Sequence, residues 1–300
     1  MNIVGRAPFV SVSSLKRPVG LVLAGVSACV MMAGTATAQT AQTFYERSFV
    51  LAADRKCRLF DSAIGVALGA AALQTRGALL REGLNPRDVM QLERRAEARA
   101  DETACADNEL GVVRGRIEHA FTRWTRAARI DFPAKDSGWM VDRFSSSQSS
   151  WRVMQQAKVG ASPVRFGLTG KDSQDMQVMA VVSFAGRARP YAARIVMRDQ
   201  DLMPRPMVAS AGRAVVPALS ARRTVFASRQ VAASQPLLVR GQRQGEAWLF
   251  PQSAVTALET LDPREEFWVE FLFRDDTVAR VKMEVGDLKA AQSFLSLGLI

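Results

Sequence analysis

The segment EFWVEFLFRDDTVARVKMEV, residues 266–285, decides the fold of the C-terminal half of this chain. Apolar residues alternate with polar ones over 266–273 and again over 277–285, and a period of two predicts strands that each bury one face. Asp275 and Asp276 separate the two runs and are typical turn residues. The segment therefore predicts a β-hairpin. Asp287 follows it, in a position to cap a closing helix.

The residues before this hairpin predict further strands, because they form short runs of β-branched, aromatic or alternating side chains. The predicted strands are 151–159, 164–169, 176–184, 190–198, 222–231 and 247–250. Residues 171–175 and 185–189 are predicted to be hairpin loops. Residues 201–221 hold three prolines and one glycine, and they predict a long irregular segment. A short helix is predicted over 253–261.

Residues 39–130 show helical patterns. The predicted helices are 41–59, 63–83, 86–104 and 108–128. Three of them have strong start signals: Asp61 or Ser62 for the second, Asn85 followed by Pro86 for the third, and Asp107 or Asn108 for the fourth. The fourth has the clearest apolar stripe, formed by Leu110, Val113, Ile117, Phe121, Trp124 and Ala128. Four helices with short connections predict an antiparallel bundle.

The predicted fold class is α+β, with an N-terminal antiparallel helical bundle followed by a mainly antiparallel β-rich module that ends in a helix. Residues 131–138 interrupt the helical pattern, and five of the six residues in 145–150 are serine. This composition predicts a linker over 131–150. The predicted organisation is therefore a signal peptide at 1–38, a helical bundle domain at 39–130, a linker at 131–150 and a β-rich domain at 151–300.

The layout from Trp248 to Leu295 resembles the invasion-associated locus B family of exported bacterial proteins. The shared pattern is a strand, a short helix, two strands and a terminal helix, and its most specific part is Glu266–Val285 followed by the DLKAA sequence at 287–291. The resemblance implies a periplasmic or surface accessory protein. It supplies no catalytic residue to carry over to this chain.

The first 38 residues predict export. Arg6, Lys16 and Arg17 form a basic region, an apolar run extends from Val19 to Gly34, and small residues at 36–38 suit cleavage after Ala38. The predicted location is the periplasm of a Gram-negative bacterium or the exterior, with no transmembrane segment in the mature chain. A retained membrane anchor and lipidation at Cys29 are the alternatives; the apolar run is short for a span of roughly 20 residues.

Cleavage would leave two cysteines, Cys57 and Cys105, in an oxidising compartment. They lie near the C-terminal ends of the first and third predicted helices, and these ends meet in an antiparallel bundle. We therefore predict a structural disulfide between them. Neither cysteine belongs to a C-x-x-C motif, and no histidine lies near either one, which argues against a redox or metal site.

Charge is unevenly distributed along the chain. The formal net charge is +11, and residues 143–243 carry sixteen basic residues against four acidic ones. From Glu246 to Asp287 the balance is reversed. One interpretation is an anion-binding surface for an envelope component or another envelope protein, with Arg187, Arg189, Arg194 and Arg198 as its candidates. The other is that the two stretches pair with each other as cross-strand neighbours. Nucleic acid is not predicted as a partner.

The sequence predicts no catalytic residue, cofactor or metal site. His119 is the only histidine, and no G-x-S-x-G or P-loop motif is present. Acidic groups occur at Asp199 with Asp201, and at Asp262 with Glu265 and Glu266. The main prediction is therefore a non-catalytic envelope-associated protein. Its alternatives are a hydrolase of envelope glycan or peptide that uses paired carboxylates, and a small-molecule sensor or carrier.

Overall fold

The computed structural model describes residues 28–184, 189–208 and 216–300, with side chains from Ala36 onward. Thr37–Ile300 forms one compact unit. Met1–Ala36 is a separate unit, of which only the start of the first helix is described. The fold class is the predicted one: four N-terminal helices, antiparallel sheets and a terminal helix. The helices and the sheets are not separate compact units, in contrast to the predicted domain division.

Four helices open the described chain: α1 Ala28–Cys57, α2 Ser62–Arg81, α3 Pro86–Glu102 and α4 Asn108–Thr125. Asp61, Asn85 and Asp107 cap α2, α3 and α4, each accepting a hydrogen bond from a first-turn N–H. Gly83 follows α2 with φ of +96°, a conformation that glycine adopts without strain. The start signals predicted for α2, α3 and α4 are therefore confirmed, whereas α1 begins at Ala28 and not at the predicted residue 41.

The bundle buries apolar side chains from all four helices. Val50 of α1 packs with Leu68 of α2 and Phe121 of α4, while Phe44 and Val89 meet in a second cluster with α2. Cys57 and Cys105 form the predicted disulfide, with their Cα atoms 5.5 Å apart. The disulfide joins the end of α1 to the connection between α3 and α4.

We expect the Cys57→Ser, Cys105→Ser double variant to lose about 2–4 kcal/mol of unfolding free energy, because the crosslink closes a loop of 48 residues and restricts the unfolded chain. Denaturant unfolding of both proteins, without reductant, measures the loss. Adding reductant should lower the stability of the wild type alone. If the double variant were as stable as the wild type, the disulfide would not hold the bundle together.

Eleven strands follow in the described chain. Their bounds are β1 Arg129–Phe132, β2 Trp139–Asp142, β3 Ser150–Val159, β4 Ser162–Gly170, β5 Gln177–Val182, β6 Ala192–Arg198, β7 Arg222–Phe226, β8 Arg229–Ala232, β9 Glu246–Phe250, β10 Glu266–Leu272 and β11 Val278–Glu284. The seven-stranded sheet has the order β1-β2-β3-β4-β5-β9-β8, and the four-stranded sheet has the order β11-β10-β6-β7. All pairings are antiparallel, and one apolar core contains side chains from both sheets.

Helices α5 Ser253–Glu259 and α6 Leu288–Leu295 complete the fold. Helix α6 packs against α2 and against β1, β2 and β3, so it lies between the bundle and the large sheet. Trp124 of α4 and Phe132 of β1 both contact Phe294 of α6, with ring centroids 6.0 and 5.9 Å apart. These contacts explain why the helical bundle and the sheets form one compact unit.

The predictions for three segments after residue 130 differ from the structure. Residues 131–150 are not a linker, since they hold part of β1 and all of β2, and Trp139 is fully buried. β5 and β6 are not paired as the predicted hairpin, since they belong to different sheets, and residues 185–188 of the predicted loop lie outside the described residues. The strand predicted at 222–231 is two strands, because the backbone passes from the small sheet to the large one at Ala227 and Ser228.

Asp287 precedes α6, as predicted, but its side chain does not cap the helix. Both carboxylate oxygens instead accept hydrogen bonds from Arg81 of α2, at 2.7 and 2.8 Å. The side chain of Asp287 is 1% exposed. A Cβ atom on Gly77 would lie 1.9 Å from Oδ1 of Asp287, so this glycine leaves the space that the carboxylate occupies.

The predicted signal peptide lies outside the described residues as far as residue 27, and residues 28–38 begin α1. Within the described ranges, α2 is the one helix whose length and composition suit a membrane span. More than half of its most apolar window is buried inside the protein. Core helices of globular proteins have the same composition, so this property alone does not indicate a membrane.

Candidate anion-binding groove

Two of the four candidate arginines are engaged inside the protein. Arg194 of β6 lies directly opposite Glu270 of β10, and Nε of Arg194 donates a 2.7 Å hydrogen bond to that carboxylate. Glu270 is fully buried and also accepts a hydrogen bond from Arg280 of β11. This is the cross-strand pairing that the charge distribution left open as an alternative.

Arg198 lies at the end of β6 and forms a bidentate pair with Glu265, at 2.6 and 2.8 Å. The side chains of Arg198 and Glu265 are 4% and 1% exposed. Arg198 also donates to the carbonyl of Met203 and so holds the start of the irregular segment. A buried guanidinium with these partners is a structural element, and a surface ligand cannot reach it.

Arg187 lies outside the described residues, whereas Arg189 is described and 83% exposed. Arg189 borders a groove of about 370 Å³ at one end of the large sheet. There β5 ends at Val182 and β8 ends at Ala232, on either side of the first residue of β9, Glu246. The groove is lined by Val182, Ser183, Phe184, Arg189, Ala232, Ala233, Arg243, Gln244, Gly245 and Glu246.

The groove is mainly cationic. Arg243 is exposed and makes no ion pair with any residue that the structure describes. Arg189 approaches Oε1 of Glu246 with its Nε at 3.4 Å, a long contact from an exposed side chain that contributes little to stability. The hydroxyl of Ser183 and the amide of Gln244 add neutral hydrogen-bonding groups. Two guanidinium groups beside such groups can bind a phosphate or carboxylate group.

Arg243 was not among the candidates from the sequence. It is the last basic residue of the basic stretch, directly before the acidic one, and it lies outside every predicted strand. Its place in the basic stretch could have marked Arg243 as a candidate. The sequence does not show that β9 pairs with β5 and β8, and this pairing brings Arg243, which precedes β9, to the same groove as Arg189.

Glu246 is the one acidic residue of the groove. Burial raises the pKa of its carboxyl group above the usual range, and the nearby Arg189 acts in the opposite direction. The side chains of Gln230 and Trp248 also favour its charged form, although neither makes a hydrogen bond of normal geometry to its buried Oε2 atom. At neutral pH the carboxylate competes with any bound anion for Arg189. Protonation removes that competition, so the affinity for an anion should increase as the pH falls.

We expect Glu246→Gln to be more stable than the wild type at neutral pH. The pKa of Glu246 is raised in the folded state, so the folded protein binds more protons than the unfolded chain between the two pKa values. The free energy of unfolding of the wild type therefore decreases as the pH rises from the pKa of Glu246 in the unfolded chain to its pKa in the folded protein. Denaturant unfolding from about pH 4 to pH 8 should show the advantage of the variant increasing with pH. A difference that is independent of pH would contradict this account.

The acidic groups considered for hydrolysis are engaged in local structure. Asp262 accepts two hydrogen bonds from the guanidinium of Arg264 in the turn before β10, and Glu265 is paired with Arg198. The side chain of Asp199 is not joined to that of Asp201; one of its oxygens accepts from the backbone N–H of Asp201. His119 is exposed on α4.

Among the described residues, no group of three or more His, Cys, Asp or Glu side chains is arranged to hold a metal ion. No protein-family model, no curated protein and no solved structure matches this chain. The resemblance of residues 248–295 to the invasion-associated locus B family stays a prediction.

Proposed function

We propose that this protein is exported to the periplasm, where it acts as a non-catalytic accessory protein that binds an anionic envelope component in the groove of Arg189 and Arg243. The observation that carries the proposal is the position of these two exposed arginines on one concave surface. Arg194 and Arg198 belong to the same basic stretch but are paired inside the protein. The basic stretch thus divides into structural arginines and arginines that are free for a ligand.

Export is supported by the basic, apolar and small-residue regions of residues 1–38. It is also compatible with the core, since Phe44 is the first buried residue in the part of α1 whose side chains are described. Cleavage after Ala38 would therefore remove no residue of the described apolar core. The Cys57–Cys105 disulfide favours an oxidising compartment, although only weakly. Mass spectrometry of the native protein should find Gln39 as the first residue.

A hydrolase has less support than a binding protein. Paired-carboxylate hydrolysis requires one group that holds a proton and one that acts as a base or nucleophile beside an open pocket. Glu246 is the one carboxylate in the anion-binding groove. A second cleft is lined by Glu265, Glu266 and Glu284, but these are paired with Arg198, Lys282 and the backbone N–H of Lys135 respectively. Burial acts to raise the pKa of Asp262, but its hydrogen bonds from Arg264 lower the pKa below the usual range, and Glu265 accepts hydrogen bonds from the buried Arg198.

The proposal is tested by equilibrium binding of inorganic polyphosphate and of vesicles of an anionic phospholipid. The Arg189→Glu, Arg243→Glu double variant should lose at least about tenfold in affinity for the anion that binds, because two charge-assisted contacts become repulsive. Arg114→Glu with Arg116→Glu is the matched control, with the same change in net charge on exposed positions of α4. The control should bind as the wild type does.

Two results would contradict the proposal that the groove binds an anionic ligand. One is binding that persists in about 0.5 M salt, where exposed ionic contacts are strongly screened. The other is binding that is unchanged by reversal of both groove arginines. If both double variants weakened binding equally, the net charge of the protein would be responsible, and the groove would not be the site.

A further inference from the structure

Strand β8 forms one edge of the seven-stranded sheet and leads into the groove of Arg189 and Arg243. It pairs with β9 on one side, and no other strand of the described chain pairs with it. All four of its residues are exposed. Its last residue, Ala232, also lines the groove. An exposed edge strand is a surface to which another extended chain can add by backbone hydrogen bonds.

The direction of the backbone groups of β8 follows from its hydrogen bonds to β9. The N–H of Ala233 donates to the carbonyl of Gly245, in register with the β8–β9 pair. Bonded and non-bonded residues alternate along an antiparallel pair, so Val231 also directs its N–H and C=O towards β9, whereas Gln230 and Ala232 direct theirs away from it. Within the described ranges, no residue outside β9 forms a backbone hydrogen bond with Gln230 or Ala232. The free edge therefore presents two donors and two acceptors.

The two groove arginines lie close to the end of this free edge. Ala232 is directly opposite Glu246 in the β8–β9 register, and Nε of Arg189 lies 3.4 Å from Oε1 of Glu246. The backbone carbonyl of Arg243 accepts a 2.8 Å hydrogen bond from the side chain of Gln235, which follows shortly after β8. A chain that pairs with the free edge and runs in the same direction as β8 therefore ends beside both arginines.

We propose that β8 and the groove together bind the extended C-terminus of another protein. This inference rests on the proposed function, because the terminal carboxylate is the anion that Arg189 and Arg243 bind. The peptide adds to β8 as a parallel strand, and its alternate residues bond to β8. Its final residue donates to the carbonyl of Ala232. The residue two before it donates to the carbonyl of Gln230 and accepts from the N–H of Ala232.

A second copy of this chain is a poorer partner for the free edge. In an antiparallel pair of two β8 strands, Arg229 of each copy would lie opposite Ala232 of the other. Arg229 would then approach the groove arginines of the other copy, and like charges repel. A terminal carboxylate carries the opposite charge, so charge complementarity favours a peptide C-terminus.

The first test compares two forms of the peptide acetyl-Thr-Thr-Val-Thr-Val on the full-length processed protein. One form ends in a free carboxylate and the other in a carboxamide, and calorimetric titration measures the affinity of each. The free acid should bind at least about tenfold more tightly, because the carboxamide loses its charge-assisted contacts with the two guanidinium groups. The Arg189→Glu, Arg243→Glu double variant should lose this preference.

The second test distinguishes strand addition from simple capture of the carboxylate. N-methylation of the third and fifth peptide residues removes the two N–H groups that donate to β8, and it should weaken binding at least about tenfold. N-methylation of the second and fourth residues is the matched control, since their N–H groups point away from β8. The control peptide should keep its affinity within about threefold.

A pair of variants tests the same edge from the side of the protein. Gln230→Pro removes an N–H group that faces away from β9, and an edge strand tolerates proline at such a position. Gln230→Ala removes the same side chain but keeps the N–H. The proline variant should bind the free acid about threefold to tenfold more weakly than the alanine variant, as expected for one lost hydrogen bond. If the proline variant does not fold, the N-methylated peptides still decide.

The proposal is overturned if the free acid does not bind, if the carboxamide binds equally well, or if the two N-methylated peptides have the same affinity. It is also overturned if the wild type is a dimer that Gln230→Pro dissociates, because β8 then pairs with a second copy. Polyphosphate is titrated into the same protein sample. Binding of polyphosphate without binding of the peptide would overturn this inference alone, whereas binding of neither would overturn the proposed function as well.

Discussion

Replacing Gly167 by Ala should destabilise the protein by at least about 4 kcal/mol, which is exceptional for the addition of one methyl group. Gly167 lies in β4 opposite Met154 of β3, next to a bulge between Trp151 and Val153. A Cβ atom at this position would lie 1.9 Å from the carbonyl oxygen of Val153. The obstructing atom belongs to the backbone of a central strand, so no side-chain rotation can relieve the overlap.

Gly111→Ala provides the matched control. Gly111 lies in α4, and a Cβ atom there would meet no atom within 4 Å. Since alanine favours a helix over glycine, the control should gain up to about 1 kcal/mol. Denaturant unfolding of both variants measures the difference. If Gly167→Ala unfolded at the same denaturant concentration as the wild type, β3 and β4 could not be paired as described.

The second large effect is expected for Arg198→Ala, which should reduce the free energy of unfolding by about 3–5 kcal/mol. The substitution leaves the carboxylate of Glu265 buried without its countercharge, with only the backbone N–H groups of Asp262 and Met207 as hydrogen-bond donors. It also removes the contact to the carbonyl of Met203, so the irregular segment after β6 should become more susceptible to proteolysis.

Arg189→Ala is the control for Arg198→Ala, since both arginines come from the same basic stretch. Its side chain is 83% exposed and should be worth less than about 0.5 kcal/mol. The pair of variants thus separates structural arginines from arginines that are free for a ligand. Equal stability of the two variants would mean that the pair of Arg198 and Glu265 is not formed, and that Arg198 would again be a candidate for anion binding.

The helices of the bundle could be predicted from the sequence because their signals are local. A cap at Asp61, Asn85 or Asp107 needs only the next turn of the chain, and Gly83 ends α2 through its own backbone conformation. The disulfide was predictable for a related reason, since the direction of two helices places their ends together.

The sheets were less predictable, because strand pairing depends on residues far apart in sequence. Residues 131–150 contain turn-forming residues, yet Trp139 is buried and its indole nitrogen donates to the carbonyl of Val285. Nothing near Trp139 in the sequence shows this contact. In the same way, the break at Ala227 and Ser228 arises because the chain follows two different sheets, although the local residues suit one continuous strand.

The candidate site, too, could be predicted only in part. The excess of basic residues indicated the segment that holds the groove arginine Arg189, but charge alone could not show that Arg194 and Arg198 are paired inside the protein whereas Arg189 is exposed. This difference depends on whether an acidic residue lies opposite in a neighbouring strand. Glu270 lies opposite Arg194, whereas the ends of β5, β8 and β9 leave Arg189 and Arg243 at a groove.

Photo-crosslinking in intact cells tests most directly whether this protein uses the groove to hold an anionic partner. A photoreactive residue replaces the exposed Gln244 of the groove or, as control, the exposed Gln91 of α3. We predict an adduct from position 244 that is absent from position 91, and that disappears when Arg189 and Arg243 are both changed to Glu. Adducts of equal yield from both positions, or an adduct from 244 that survives this charge reversal, would contradict the proposed role.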